Sequence, residues 1–65
     1  MRIDRVKFVT ELAKKDYSIK KLAELSCVSA QTLSSIKNGK GCSAETGRAI
    51  AEALDMEIED LLEGH

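Results

Sequence analysis

The chain has no proline and no tryptophan, one phenylalanine, one tyrosine, one histidine and two cysteines in 65 residues. Without proline, and with only four glycines, a sheet protein joined by many tight turns lacks its punctuation. The 43% hydrophobic and 32% charged residues suit a helical globule and are too apolar for a disordered chain. Phe8 and Tyr17, the only aromatics, read as packing residues, so a surface of stacked bases like that of single-strand binders has no material. Cys27 and Cys42 are too few to staple a secreted miniprotein. With His65 as the lone imidazole, they cannot complete a zinc quartet of Cys and His ligands. The same scarcity leaves no nucleophile with its base and no paired acid system, so binding without catalysis, cofactor or small-molecule substrate is expected. No apolar run approaches the roughly 18 residues of a membrane span. The first residues carry no apolar signal block, so a cytoplasmic protein is expected.

A chain of this length forms one domain, taken as residues 1–65, and buries only about 60% of the surface its unfolded form exposes. Its net charge of −1 hides an asymmetry. Residues 1–40 hold nine Lys and Arg against four Asp and Glu, or +5, whereas residues 41–65 hold Arg48 against seven acids, or −6. A basic half beside an acidic half is compatible with one face meeting phosphates, and equally with two ordinary solvated surfaces.

Hydrophobic spacing predicts five helices. Ile3, Val6, Val9, Leu12 and Ala13 mark a first over about 2–15, with Lys14 and Lys15 suited to its negative C-terminal end. Ser18 is a good N-cap for a short second helix, and Tyr17 and Leu22 can form a hydrophobic staple across its start. Ile19, Leu22 and Ala23 give that helix a buried face, and Ser26-Cys27 ends it. The same grammar recurs with Ser29 as cap and Val28 stapled to Leu33. In this third helix Leu33 and Ile36 point inward, which turns Gln31, Ser34, Ser35 and Asn38 outward with Ala30 and Thr32 on the flanks. Asn38-Gly39 is the stop signal. Ser43 caps a fourth helix, with Gly47, Ile50, Ala51 and Leu54 on one face and Glu45 near its positive end. Ile58, Leu61 and Leu62 predict a last short helix over about 58–63, poorly capped by Glu57 and dependent on docking. Residues 64–65 are expected to fray.

Two short helices joined by a tight turn are common, so the details matter. Ala23 is small where the next helix must cross, Cys27 sits in the turn, Val28 is apolar after it, and Leu33 and Ile36 are the inward residues that follow. From Ile19 to Asn38 this spacing resembles the helix-turn-helix of the phage repressor and Cro family. The likeness extends from about Ser18 to Leu62, through Ile36-Lys37-Asn38-Gly39-Lys40 and Ile50-Ala51-Glu52-Ala53-Leu54. It implies an all-α, lambda-repressor-like five-helix domain whose third helix enters the major groove while the second lies across the phosphate backbone.

What the resemblance implies for residues is specific. Ala30, Gln31, Ser34 and Ser35 fall where base contacts are made. Ser18, Asn38 and Lys40 fall where phosphates are held, and the outward placement of Lys20 and Lys37 adds them. The chemistry agrees: Gln can bind adenine N6 and N7 together, Ser can donate or accept, and Ala can touch a thymine methyl. With no arginine on this helix, recognition is expected to lean on A·T pairs. Apart from the motif, Gln31 and its serine neighbours would be an ordinary solvated helix face. Three positions depart from the family pattern: Cys27 replaces the usual turn glycine, Ile19 a polar residue, and the loop before Ser43 lacks proline. Ile19 cannot bind a phosphate.

The expected function is that of a sequence-specific, double-stranded-DNA-binding transcriptional regulator, a repressor, acting as a homodimer on two half-sites. Met56, Ile58, Leu61 and Leu62 could form the dimer interface or pack within the monomer. A second class of function stays open, in which the helix-turn-helix holds a protein partner as an antitoxin or regulatory adaptor.

Overall fold

The computed structural model describes residues 1–63; residues 64–65, including His65 and the expected fraying, lie outside the described residues. Five helices follow in order: α1 Arg5–Lys15, α2 Ile19–Ser26, α3 Ala30–Lys37, α4 Ala44–Ala53 and α5 Ile58–Leu61. The all-α expectation holds. α2 packs on both α3 and α4, α1 packs on α3, and α4 on α5. The Cα radius of gyration is 10.0 Å, slightly below the roughly 11 Å typical of a folded chain this long.

Four helices share one pattern of ends. Each begins at a short polar side chain that accepts a backbone N–H of the first turn: Asp4 from Val6 and Lys7, Ser18 from Lys21, Ser29 from Thr32 and Ser43 from Thr46. Each closes on a residue with positive φ: Asp16 at 56°, Cys27 at 60°, Gly39 at 99° and Asp55 at 55°. Behind Asp16, Gly39 and Asp55 a pair of reversed hydrogen bonds completes the closure. After α3, for example, Gly39 N–H donates to Ile36 O at 2.9 Å and Lys40 N–H to Ser35 O at 3.0 Å. The Cys27 closure has a single bond, from Cys27 N–H to Ala23 O at 3.0 Å. α5 has no side-chain cap, as Glu57 led one to expect.

The core joins Phe8 and Leu12 of α1, Leu22 of α2, Leu33 and Ile36 of α3, Ile50, Ala51 and Leu54 at α4, Leu61 of α5, and Ile3. Tyr17 and Val28, the outer partners of the two expected staples, are half-buried against it. Ser26 is buried because its hydroxyl donates to Leu22 O at 2.7 Å and accepts Val28 N–H at 3.3 Å, so the polar group is satisfied inside the turn. Gly47, the inward glycine of α4, leaves room that a Cβ would deny to the Met1 side chain, and Ile58 Cδ1 lies against the same gap.

The ends of the chain differ from expectation in three ways. First, α1 starts at Arg5 because Asp4 caps it, which leaves Met1–Asp4 extended. Second, α5 stops at Leu61 rather than residue 63, because Leu62 pairs antiparallel with Ile3. Asp4 N–H donates to Leu61 O at 2.8 Å and Glu63 N–H to Arg2 O at 2.9 Å, so the two segments satisfy each other's backbone. Third, the buried stripe of α1 is Phe8 and Leu12; Val6 is 70% exposed, Val9 42%, and Ala13 is also exposed. Steps of three residues drift around a helix by about 60° each, so the series from Ile3 to Leu12 winds over the surface. Phe8 and Leu12, four apart, share one face.

Candidate nucleic-acid interface

The outward face of α3 follows from its two inward anchors. Leu33 is fully buried and Ile36 is 1% exposed, and with these fixed Ala30, Gln31 and Ser34 are exposed while Ser35 is half-buried. Thr32 is half-buried and engaged: its N–H donates to Ser29 Oγ at 3.2 Å and its Oγ1 accepts the Ser29 hydroxyl at 2.8 Å. The amide of Gln31 and the hydroxyl of Ser34 therefore carry the free polar capacity at the start of the helix.

Exposed cations precede this face in the chain and follow it. Lys20 and Lys21 are exposed in the first turn of α2, behind Ser18, whose hydroxyl oxygen accepts Lys21 N–H at 3.0 Å. Lys37, Asn38 and Lys40 are exposed where α3 ends. The closure at Gly39 holds Lys40 beside the helix terminus through its backbone while its ammonium stays in solvent. Among the described residues the ion pairs are Arg2 with Glu63 at 3.6 Å and Lys14 with Glu11 at 3.3 Å, so these four lysines face water without an acidic partner. Acidic groups collect elsewhere: Glu52, Asp55, Glu57 and Asp60 line the cleft between α4 and α5 with Arg48. Four of the seven acids of residues 41–65 thus meet at one cleft.

Sequence reasoning missed the part played by Met1–Asp4. Met1 and Cys42 exchange backbone bonds, Cys42 N–H to Met1 O at 2.9 Å and the Met1 amino nitrogen to Cys42 O at 3.0 Å. Arg2 donates to Gly39 O at 3.0 Å. The extended start of the chain thus braces the Gly39–Cys42 loop that carries Lys40. No linear spacing could signal contacts made 37 and 41 residues apart. Burial pushes the Cys42 thiol up from its ordinary value, with the Met1 amino group acting the other way. Of the four residues expected at a dimer interface, Leu61 is fully buried in the monomer core and is withdrawn; Met56 and Ile58 are half-buried against that core, and Leu62 is half-buried too.

The geometry has relatives. Three solved structures superpose on the whole chain at 26% identity: a hydroxyethylphosphonate dioxygenase variant with a TM-score of 0.85, and PhpD with cadmium, alone and with hydroxyethylphosphonate bound, each at 0.82. This chain spans 14% of the length of each of those proteins. No curated protein matches it. A model of the Cro/C1-type HTH DNA-binding domain matches residues 10–64, which takes in all of α2 to α5 and most of α1. With that match over most of its length, the chain belongs to the Cro/C1-type helix-turn-helix DNA-binding domain family.

Proposed function

We propose that this domain is a sequence-specific repressor that reads double-stranded DNA with α3 in the major groove. The observation that carries the reading is the α3 face itself: exposed and uncharged at Ala30, Gln31 and Ser34, with unpaired lysines in the first turn of α2 and at the end of α3. A neutral reading surface between cations suits the division of labour at such interfaces, where phosphate contacts position and base contacts specify. Gln31 reads adenine through its amide, Ser34 and Ser35 offer hydroxyls to base edges, and Ala30 meets a thymine methyl. Ser18, Lys20, Lys37, Asn38 and Lys40 hold the backbone on either side. A domain this small represses most simply by occupying its site. As a homodimer it would span half-sites about one helical turn apart, with Met56, Ile58 and Leu62 as the remaining interface candidates.

The domain acts by binding and performs no reaction of its own. Its two thiols stand in different turns, Cys27 after α2 and Cys42 before α4, and burial draws the second away from its reactive thiolate form. The dioxygenase activity belongs to proteins of which this fold makes up 14%, and a shared fold does not carry a shared site.

Selection of duplexes from a random pool tests the reading. Recovery of one symmetric, A·T-rich motif, bound two chains per site in sedimentation, is the expected result. A one-to-one complex on a symmetric site rules out the dimer. The acid-lined α4–α5 cleft and the arginine-free reading face favour the second function, holding a protein partner. Capture of one protein with no salt-sensitive retention of any duplex would establish that function instead.

A further inference from the structure

Val6 and Val9 are the two large apolar side chains of α1 left in solvent, 70% and 42% exposed, and they line one open groove with Arg5, Thr10, Lys37 and Asn38. We propose that this groove seats a stretch of DNA sugar-phosphate backbone, with Arg5 and Lys37 on phosphates and Val6 and Val9 against deoxyribose. The inference rests on the DNA-binding reading and extends the contact surface from the end of α3 onto α1.

The charges around the groove select the occupant. Arg5 and Lys37 are both exposed, and neither has an acidic partner among the described residues, so two like charges line one concavity. An anion between them relieves that repulsion. Arg2 lies close by but is committed to Glu63 and to Gly39 O. The acids near the groove are committed as well: Asp4 accepts Val6 and Lys7 N–H at 2.9 and 3.2 Å, and Glu63 faces Arg2. A second copy docking by the same face would set cations against cations. The groove is continuous with Asn38, already a candidate phosphate contact, so a backbone held there would run on toward α1.

The test uses the whole chain and a duplex recovered from the random pool, titrated over several salt concentrations. Arg5→Gln should lower the magnitude of the salt slope by about one and weaken every duplex by the same factor, roughly three- to tenfold, with base preference unchanged. Arg5→Lys should keep the wild-type slope. Arg48→Gln, on the acidic cleft, should change neither slope nor affinity. An Arg5→Gln slope equal to wild type overturns the groove assignment, as does a loss of affinity that ignores salt. If wild type itself retains no duplex, the DNA reading falls and the groove with it; salt-sensitive wild-type binding with an unaffected Arg5→Gln sinks the groove alone. Capture of an acidic protein that Arg5→Gln abolishes, with duplex binding untouched, would replace DNA by a protein occupant.

Discussion

Between Ser18 and Lys40 every helix end is closed by a group within about a turn of it, whereas at the two ends of the chain each segment is closed by the other. Ser18, Ser29 and the closures at Cys27 and Gly39 use partners three to five residues away. Ile3 and Leu62, by contrast, have ordered backbone because they meet, and Met1 and Arg2 reach the Gly39–Cys42 loop. The helix-turn-helix is therefore built from local instructions and set in place by a clasp of distant ones. The clasp also touches the loop that carries Lys40, so the candidate reading face and the candidate phosphate contact at its end are supported by different means.

The largest expected effect comes from breaking the clasp. Ile3→Ala should lower stability by about 2–5 kcal/mol, as deletion of a buried branched side chain does. Val6→Ala, taken from the same apparent stripe, should change it by no more than about 0.5 kcal/mol. Urea midpoints of the two variants check the contrast, and comparable losses would mean that α1 begins before Arg5 and buries Val6.

Within the local half, reading and holding should separate. Gln31→Ala is expected to lose about 1–3 kcal/mol of discrimination at one base pair, while Lys40→Ala weakens all duplexes alike and reduces the salt slope by about one. Titrations on the selected site and its single-base variants, repeated across salt, measure both. Uniform weakening by Gln31→Ala would move the reading face elsewhere.

Two smaller changes probe the helix ends. Ser29→Ala removes the acceptor for Thr32 N–H and should cost about 1 kcal/mol in thermal or urea unfolding, with the helix-turn-helix weakened and the clasp intact. Cys27→Gly should work the other way. At φ 60° and ψ 24° a side chain costs roughly 1 kcal/mol that glycine avoids, and because Cys27 is exposed its loss removes little packing. Under reducing conditions its urea midpoint should rise while base preference stays the same. A midpoint at or below that of wild type would show that the greater freedom of glycine in the unfolded chain outweighs the relief.

Much of the middle of the molecule was legible because its signals are short-ranged. A serine before an apolar turn, an inward pair three apart at Leu33 and Ile36, and Gly39 after Asn38 each predict a structure that the next few atoms complete. The closures at Asp16 and Asp55 were less visible, since aspartate at positive φ is tolerated without being demanded. The α1 stripe was misread for a related reason: Ile3 seemed to belong to a helical row, and only the Asp4 cap and the pairing with Leu62 take it out of register.

By itself the sequence determined the five helices, the three serine caps, the inward face of α3 and hence the outward one, since caps and periodicity act over a single turn. Tertiary structure alone decided that Met1–Asp4 is extended, that Leu61 belongs to the core and not to an outer surface, and that Arg5 lies beside Lys37 and Asn38. These depend on which distant segments satisfy one another's backbone groups and apolar surface. That choice is made by the packing of the whole domain, and no window along the chain contains both partners.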